Sequence, residues 1–326
     1  TISAGTLQIG NGGTTGTLGT NAVSIAGNSN LSVYRSDSLN VTNTLSGLGS
    51  INFLGTGTQG QSDYQLTGNN TSFNGNINLT LSRLGITAAN RLGTAAITVN
   101  SGAGLYLNGN FTVNNALSLA GNGWNETPWG YLGALRLSSS ANYGGAITLA
   151  ANSRIGAHNS TGTVSGVISG SKNLEFNTPS DTYSSVIYLT NSNTYTGNTT
   201  INSGTLQLGT GGTTGDVAFS SAIADNGTLI INHSNAVSLS QNITGTGGLT
   251  QAGSGTTTLT GTNAYDVTTI SAGTLQVGNG GNSGSLGSGN IVDNATLVFN
   301  RDTSSDLTVA NAISGTGSLT QSGAGK

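Results

Sequence analysis

Residues 1–13 recur almost letter for letter at 200–212 and again at 269–281. No other feature constrains the fold as tightly. A motif repeated along a chain means one small structural unit stacked on copies of itself, because no single copy can bury its apolar face alone. Within 269–277, apolar residues alternate at Ile270 and Ala272 and resume at Leu275 and Val277, with the parity shifted across Gly273. That pattern predicts two short strands meeting at a glycine corner, with these four residues on one face and Thr269, Ser271 and Gln276 on the other. Glycine at the corner supplies a positive φ or a close backbone approach.

The grammar continues downstream of each copy. Inward pairs are expected at Leu31 and Val33, Leu229 and Ile231, and Leu297 and Phe299, followed by Leu39 and Val41, Val237 and Leu239, and Leu307 and Val309. A Gly-x-Gly corner follows, its first glycine at Gly47, Gly245 and Gly315, which lie 42, 41 and 42 residues beyond Gly5, Gly204 and Gly273. Coils of roughly 20 to 25 residues fit that spacing. Stacked at about 4.8 Å, such coils pair every backbone N–H and C=O with the coils above and below. Asn and Thr at the turns can form ladders with the residues of neighbouring coils. The expected fold is all-β, a parallel β-helix running through 1–326 as one continuous solenoid with modules near 1–87, 88–200, 201–269 and 270–326.

Composition sharpens the class. Charged residues make up 6% of the chain, against about 25% in ordinary globular domains. Low charge with scattered Thr, Val and Ile argues for β-structure rather than disorder. A net charge of −3 without a basic stripe argues against nucleic acid. The absence of cysteine removes disulfides and thiolate zinc sites. No apolar run is long enough to span a membrane, so no membrane contact by this segment is expected. The chain opens without Met inside one repeat and ends inside another, so a longer parent polypeptide and end-to-end contact between copies are expected.

Candidate chemistry is sparse, and no enzyme, catalytic residue, metal or cofactor is expected. The acids cluster only as Asp302 with Asp306 and as Asp37 beside Arg35, in polar turns where solvated charge is ordinary. His233 stands four residues after Leu229, the offset that places Arg35 after Leu31 and Arg301 after Leu297. A slot that accepts arginine cannot require a near-neutral base. His158 lies in a turn with no acid beside it. The irregular stretch 121–131 gathers both tryptophans and is expected to leave the coil as a protruding loop. Trp124, Trp129 and Tyr131 are its candidate binding residues, because exposed aromatics stack on sugars or anchor partners. The competing reading is that the rings cover a neighbouring coil.

Residues 249–265, running on through 269–278, resemble the autotransporter-associated β-strand repeat of bacterial passenger domains, and 189–212 is a second copy with Tyr195 in the place of Tyr265. Truncated copies occupy 1–13 and 319–326, and 133–156 resembles the module that links such repeats. The resemblance implies a right-handed β-helix, carried to the outer surface of a Gram-negative-type bacterium or released from it, and it implies no activity. A structural rod follows as the expected role, acting as an adhesin, a spacer or an extracellular filament or matrix building block, with a host or environmental surface or glycans as partner. A carbohydrate-binding module through the Trp124/Trp129 loop, or a glycan-active β-helix enzyme, are the alternatives.

Overall fold

The computed structural model describes residues 1–179, 184–304 and 307–325. Among them the only helical element is the 3₁₀ turn Ala89–Arg91, and everything else regular is strand. The fold is a parallel β-solenoid of short strands. The chain divides into two compact units, Thr1–Ser185 and Val186–Lys326.

In the first unit each coil contributes a strand that pairs in parallel with its counterpart in the next. Ser29–Tyr34 pairs with Ser50–Leu54, then come Asn76–Thr80, Ala96–Val99, Leu117–Gly121 and Ile147–Gly156. The register places Leu31, Ile51, Ile77, Ile97, Leu117, Ile147 and Ile168 one above another, all buried. Burying side chains of this size stabilises by about 1.5–3 kcal/mol each, so the column is the main cohesive element. Outward positions form a polar ladder beside it: Asn52 donates to Ser32 and Asn78 donates to Asn52.

The second unit repeats the scheme with a column of Ile187, Leu206, Leu229 and Leu249 and another of Leu239, Leu259, Val277 and Phe299. Gln251 interrupts the inward pattern. It is buried, yet its amide donates to Gly253 O and its carbonyl accepts from Thr257 Oγ1, so its polar groups are satisfied.

The expected corner is present. Thr268–Ile270 and Thr274–Val277 flank Gly273 at φ +63°, and Thr199–Ile201 and Thr205–Leu208 flank Gly204 at the same φ. Ile270, Leu275 and Val277 are buried, whereas Ala272, one residue from the bend, is only half-buried. Bending at Gly273 rotates its neighbour out of the strand's alternation. Likewise Leu39 and Val237 are half-buried while Val41 and Leu239 face the core, and 307–309 forms no strand.

The Gly-x-Gly corners are sterically compulsory. At Gly47, Gly245 and Gly315 φ is +105°, +126° and +112°, and a Cβ would lie 2.0–2.1 Å from the carbonyl oxygen of Ile25, Asp225 and Asp293 respectively. Only glycine permits both the left-handed backbone and that approach.

Many coils are also tied to a neighbour by an inward amide. Asn43 donates to Gly19 O and Asn21 O, Asn115 to Gly93 O and Ala95 O, and Gln241 to Val217 O and Ala218 O. These bonds satisfy turn carbonyls that the strand ladders leave over.

Candidate functional site

The stretch 121–131 departs from the coil scheme through local backbone events. Leu119 pairs with Leu149 but Gly121 pairs with Ser153, so the neighbouring strand carries a bulge at this point. The chain then forms a hairpin in which Asn125 opposes Tyr131 and Glu126 opposes Gly130, the only antiparallel strand pair among the described residues.

Rather than standing clear of the coil, the hairpin folds back on the turn at 56–62. Gly60 N donates to Asn125 O and Gln59 Nε2 to Asn125 Oδ1. Trp124 is turned inward, 7% exposed, with its Nε1 donating to Gln61 O at 2.9 Å and the Arg83 guanidinium 4.9 Å from its ring centre. The covering reading of Trp124 therefore describes its position. Trp129 and Tyr131 are each 47% exposed, and Trp129 stacks obliquely on His158 at 5.4 Å between ring centres. Of the three predicted residues, the hairpin presents two to solvent and uses one as its base.

Beneath it lies the densest charge cluster among the described residues. Arg83 forms a two-pronged pair with Asp63 at 2.9 and 2.6 Å and donates to Glu126 at 2.5 Å, while Arg136 also donates to Glu126. Both guanidinium groups lie over Tyr106, at 5.2 and 4.4 Å. Two cations and two anions cancel here, so the cluster adds rigidity without a net field. Burial pushes the Glu126 carboxyl above the usual carboxylate range, while Arg136 and Arg83 oppose that shift. Arg154 fixes the far strand, donating to Tyr131 O at 2.7 Å while paired with Glu175. Of these ion-pair partners only Glu126 lies within the stretch that the sequence marks, and Asp63, Arg83 and Arg136 lie outside it. Glu126 and Arg83 are 43 residues apart, and no local pattern connects them.

The other candidate groups serve the scaffold. His233 donates through Nε2 to Gly215 O, 2.8 Å away. Arg35 occupies the same slot, donating to Gly16 O and Thr14 O, and Arg301 donates to Gly284 O and Asn282 O. Each clamps the glycine loop of a neighbouring coil, whose Gly16, Gly215 and Gly284 have φ of +101°, +107° and +96°. Asp37 is held by Arg35 at 2.6 Å, and that hydrogen bond lowers its pKa. Asp302 accepts from the backbone and hydroxyl of Ser304. Asp306 lies outside the described residues.

Two stretches, 182–208 and 249–277, match the passenger-associated-transport-repeat family. The second covers the Thr256–Leu259, Thr268–Ile270 and Thr274–Val277 strands around the Gly273 corner. The adhesin BmaC autotransporter of Brucella suis biovar 1 (strain 1330) is 36% identical over 180 residues, an alignment that takes in 49% of this chain and 5% of that protein. The chain thus spans a small fraction of the relative's length. No solved structure matches it. Repeat match, relative and stacked coils agree: the chain carries passenger-associated-transport repeats on a parallel β-solenoid and is similar to part of an autotransporter adhesin.

Proposed function

We propose that this chain is a non-enzymatic adhesive spacer, in which the coils hold a contact hairpin away from the cell and the hairpin touches a host or environmental surface. One observation carries the reading: the hairpin leaves Trp129 and Tyr131 half-exposed while Trp124, Glu126 and Tyr131 O are bonded to the coils from below. Aromatic groups held rigidly lose little entropy on contact, which is what an adhesive patch needs. The relative's name, adhesin, supports the same role. Because each coil interacts mainly with its neighbours, added modules extend reach at nearly constant energy per coil.

The test uses beads coated with the 326-residue chain and measures their retention on epithelial cells and on abiotic surfaces. Retention should fall several-fold when Trp129→Ser and Tyr131→Ser are combined. Unchanged retention with the fold intact would remove the hairpin from the role.

A further inference from the structure

We infer that the depression beside Tyr131 binds an uncharged saccharide. The inference rests on the reading of the hairpin as the contact surface and adds a ligand class to it. A depression of about 360 Å³ is lined by Ser101, Gly102, Gly121, Asn122, Gly123 and Tyr131. A second depression of about 140 Å³ shares Gly102 and Tyr131 with it and adds Thr58, Gln59, Leu81 and Asn125. The first by itself falls in the range of small-molecule sites.

Its chemistry is that of a sugar ring. One half-exposed phenol and the half-exposed Leu81 offer apolar surface to C–H groups, while the amides of Asn122, Gln59 and Asn125 and the hydroxyls of Ser101 and Thr58 offer both donors and acceptors. The floor is glycine for reasons of backbone geometry. Gly121 and Gly123 have φ of +82° and +106°, and a Cβ on Gly123 would lie 2.3 Å from Gly133 O.

Charge selects among sugars. No lining residue is ionic, and the cations around it, Arg83, Arg136 and Arg154, are paired with Asp63, Glu126 and Glu175. A sialylated or sulphated glycan would bring an anion to a place with no free cation to receive it. Tyr131 is also held in place, its carbonyl bonded to Arg154.

The test is ligand-observed NMR and titration on the 326-residue chain with N-acetylchitotriose, mannotriose and maltotriose, against sialyllactose and a heparin hexasaccharide. At least one neutral trisaccharide should bind and the charged probes should not. Tyr131→Ala should weaken binding by about tenfold or more, Tyr131→Phe by less than about threefold, and Asn122→Ala by roughly three- to tenfold. Asn122→Ala also serves as the second variant if Tyr131→Ala disturbs the hairpin. Absence of neutral-sugar binding, preference for the charged probes, or indifference to both variants would overturn the inference. Bead retention that depends on Trp129 and Tyr131 without any sugar binding would leave the contact role standing and remove the saccharide.

Discussion

Asp225 is a charge placed where the fold has least use for one, and replacing it should stabilise the protein in a pH-dependent way. The residue ends the Ile223–Asp225 strand and is fully buried. Gly227 N donates to its Oδ1 at 3.0 Å, while Oδ2 has no hydrogen-bond partner. Burial raises the carboxyl from 3.8 to about 6, with the backbone donors of Gly227 and Leu229 opposing the shift. A rise of about 2 units, at about 1.36 kcal/mol per unit, corresponds to roughly 3 kcal/mol. The sign follows from proton occupancy. Between about pH 4 and 6 the folded chain keeps a proton that the unfolded chain has released, so stability is full below pH 4 and declines until the pH passes 6.

Asp225→Asn keeps the acceptor for Gly227 N–H and removes the ionisation. Relative to the parent it should be nearly neutral at pH 4 and more stable by up to about 3 kcal/mol at pH 7.5. Urea unfolding followed by far-UV circular dichroism at both pH values measures this. The difference between parent and variant is the quantity to follow, because other carboxyls titrate in both. A difference that does not change with pH, or a variant less stable at pH 7.5 than at pH 4 relative to the parent, would refute the argument. The matching position in the first unit holds Ile25, which shows that the corner itself needs no carboxylate.

Other variants probe other parts of the scheme. Gly245→Ala, with its Cβ 2.1 Å from Asp225 O at φ +126°, should cost more than about 2 kcal/mol in urea unfolding, whereas Gly212→Ala, in open space, should stay within about 0.5–1 kcal/mol. Glu126→Gln should leave Arg83 and Arg136 short of an anion, cost about 3–5 kcal/mol locally and shift Trp124 emission to the red when read in a Trp129→Phe background. Arg301→Ala should expose the loop at 278–284 to proteases, with a loss of about 1–2 kcal/mol, and Arg301→His should recover most of it, since His233 performs the same clamp in another module.

The coil scheme was readable because it is written in local periodicity. Alternation at Leu229 and Ile231, a parity shift at Gly273 and a corner at Gly245 are short-range signals with one structural meaning, and the strands fall on them. Departures arise where geometry at a bend overrides alternation, as at Ala272 and Leu39. The inward amides of Asn43, Asn115 and Gln241 escaped notice because a polar residue in a turn looks solvated until the carbonyls of the neighbouring coil are in place.

The hairpin shows the sharper limit. Residues 121–131 were legible as an interruption that gathers both tryptophans, but not as a hairpin folded on the turn at 56–62. That docking depends on Arg83, Asp63, Glu126 and Arg136, which are brought together only by coil stacking. Scarcity was the available clue: in a chain with two glutamates, one placed inside an aromatic loop calls for a cation.

Stacking itself is best tested by pulsed electron–electron resonance within the first unit, which is feasible because the chain has no cysteine. One spin label at Asn52→Cys is paired in turn with a second at Ser118→Cys, Thr148→Cys or Ser169→Cys, positions that the register places three, four and five coils away. Distances centred near 14, 19 and 24 Å, rising by about 4.8 Å per coil whatever the number of residues between the labels, are the predicted result. Distances that scale with sequence separation, or that fail to step from one coil to the next, would contradict the ladder on which the rest is built.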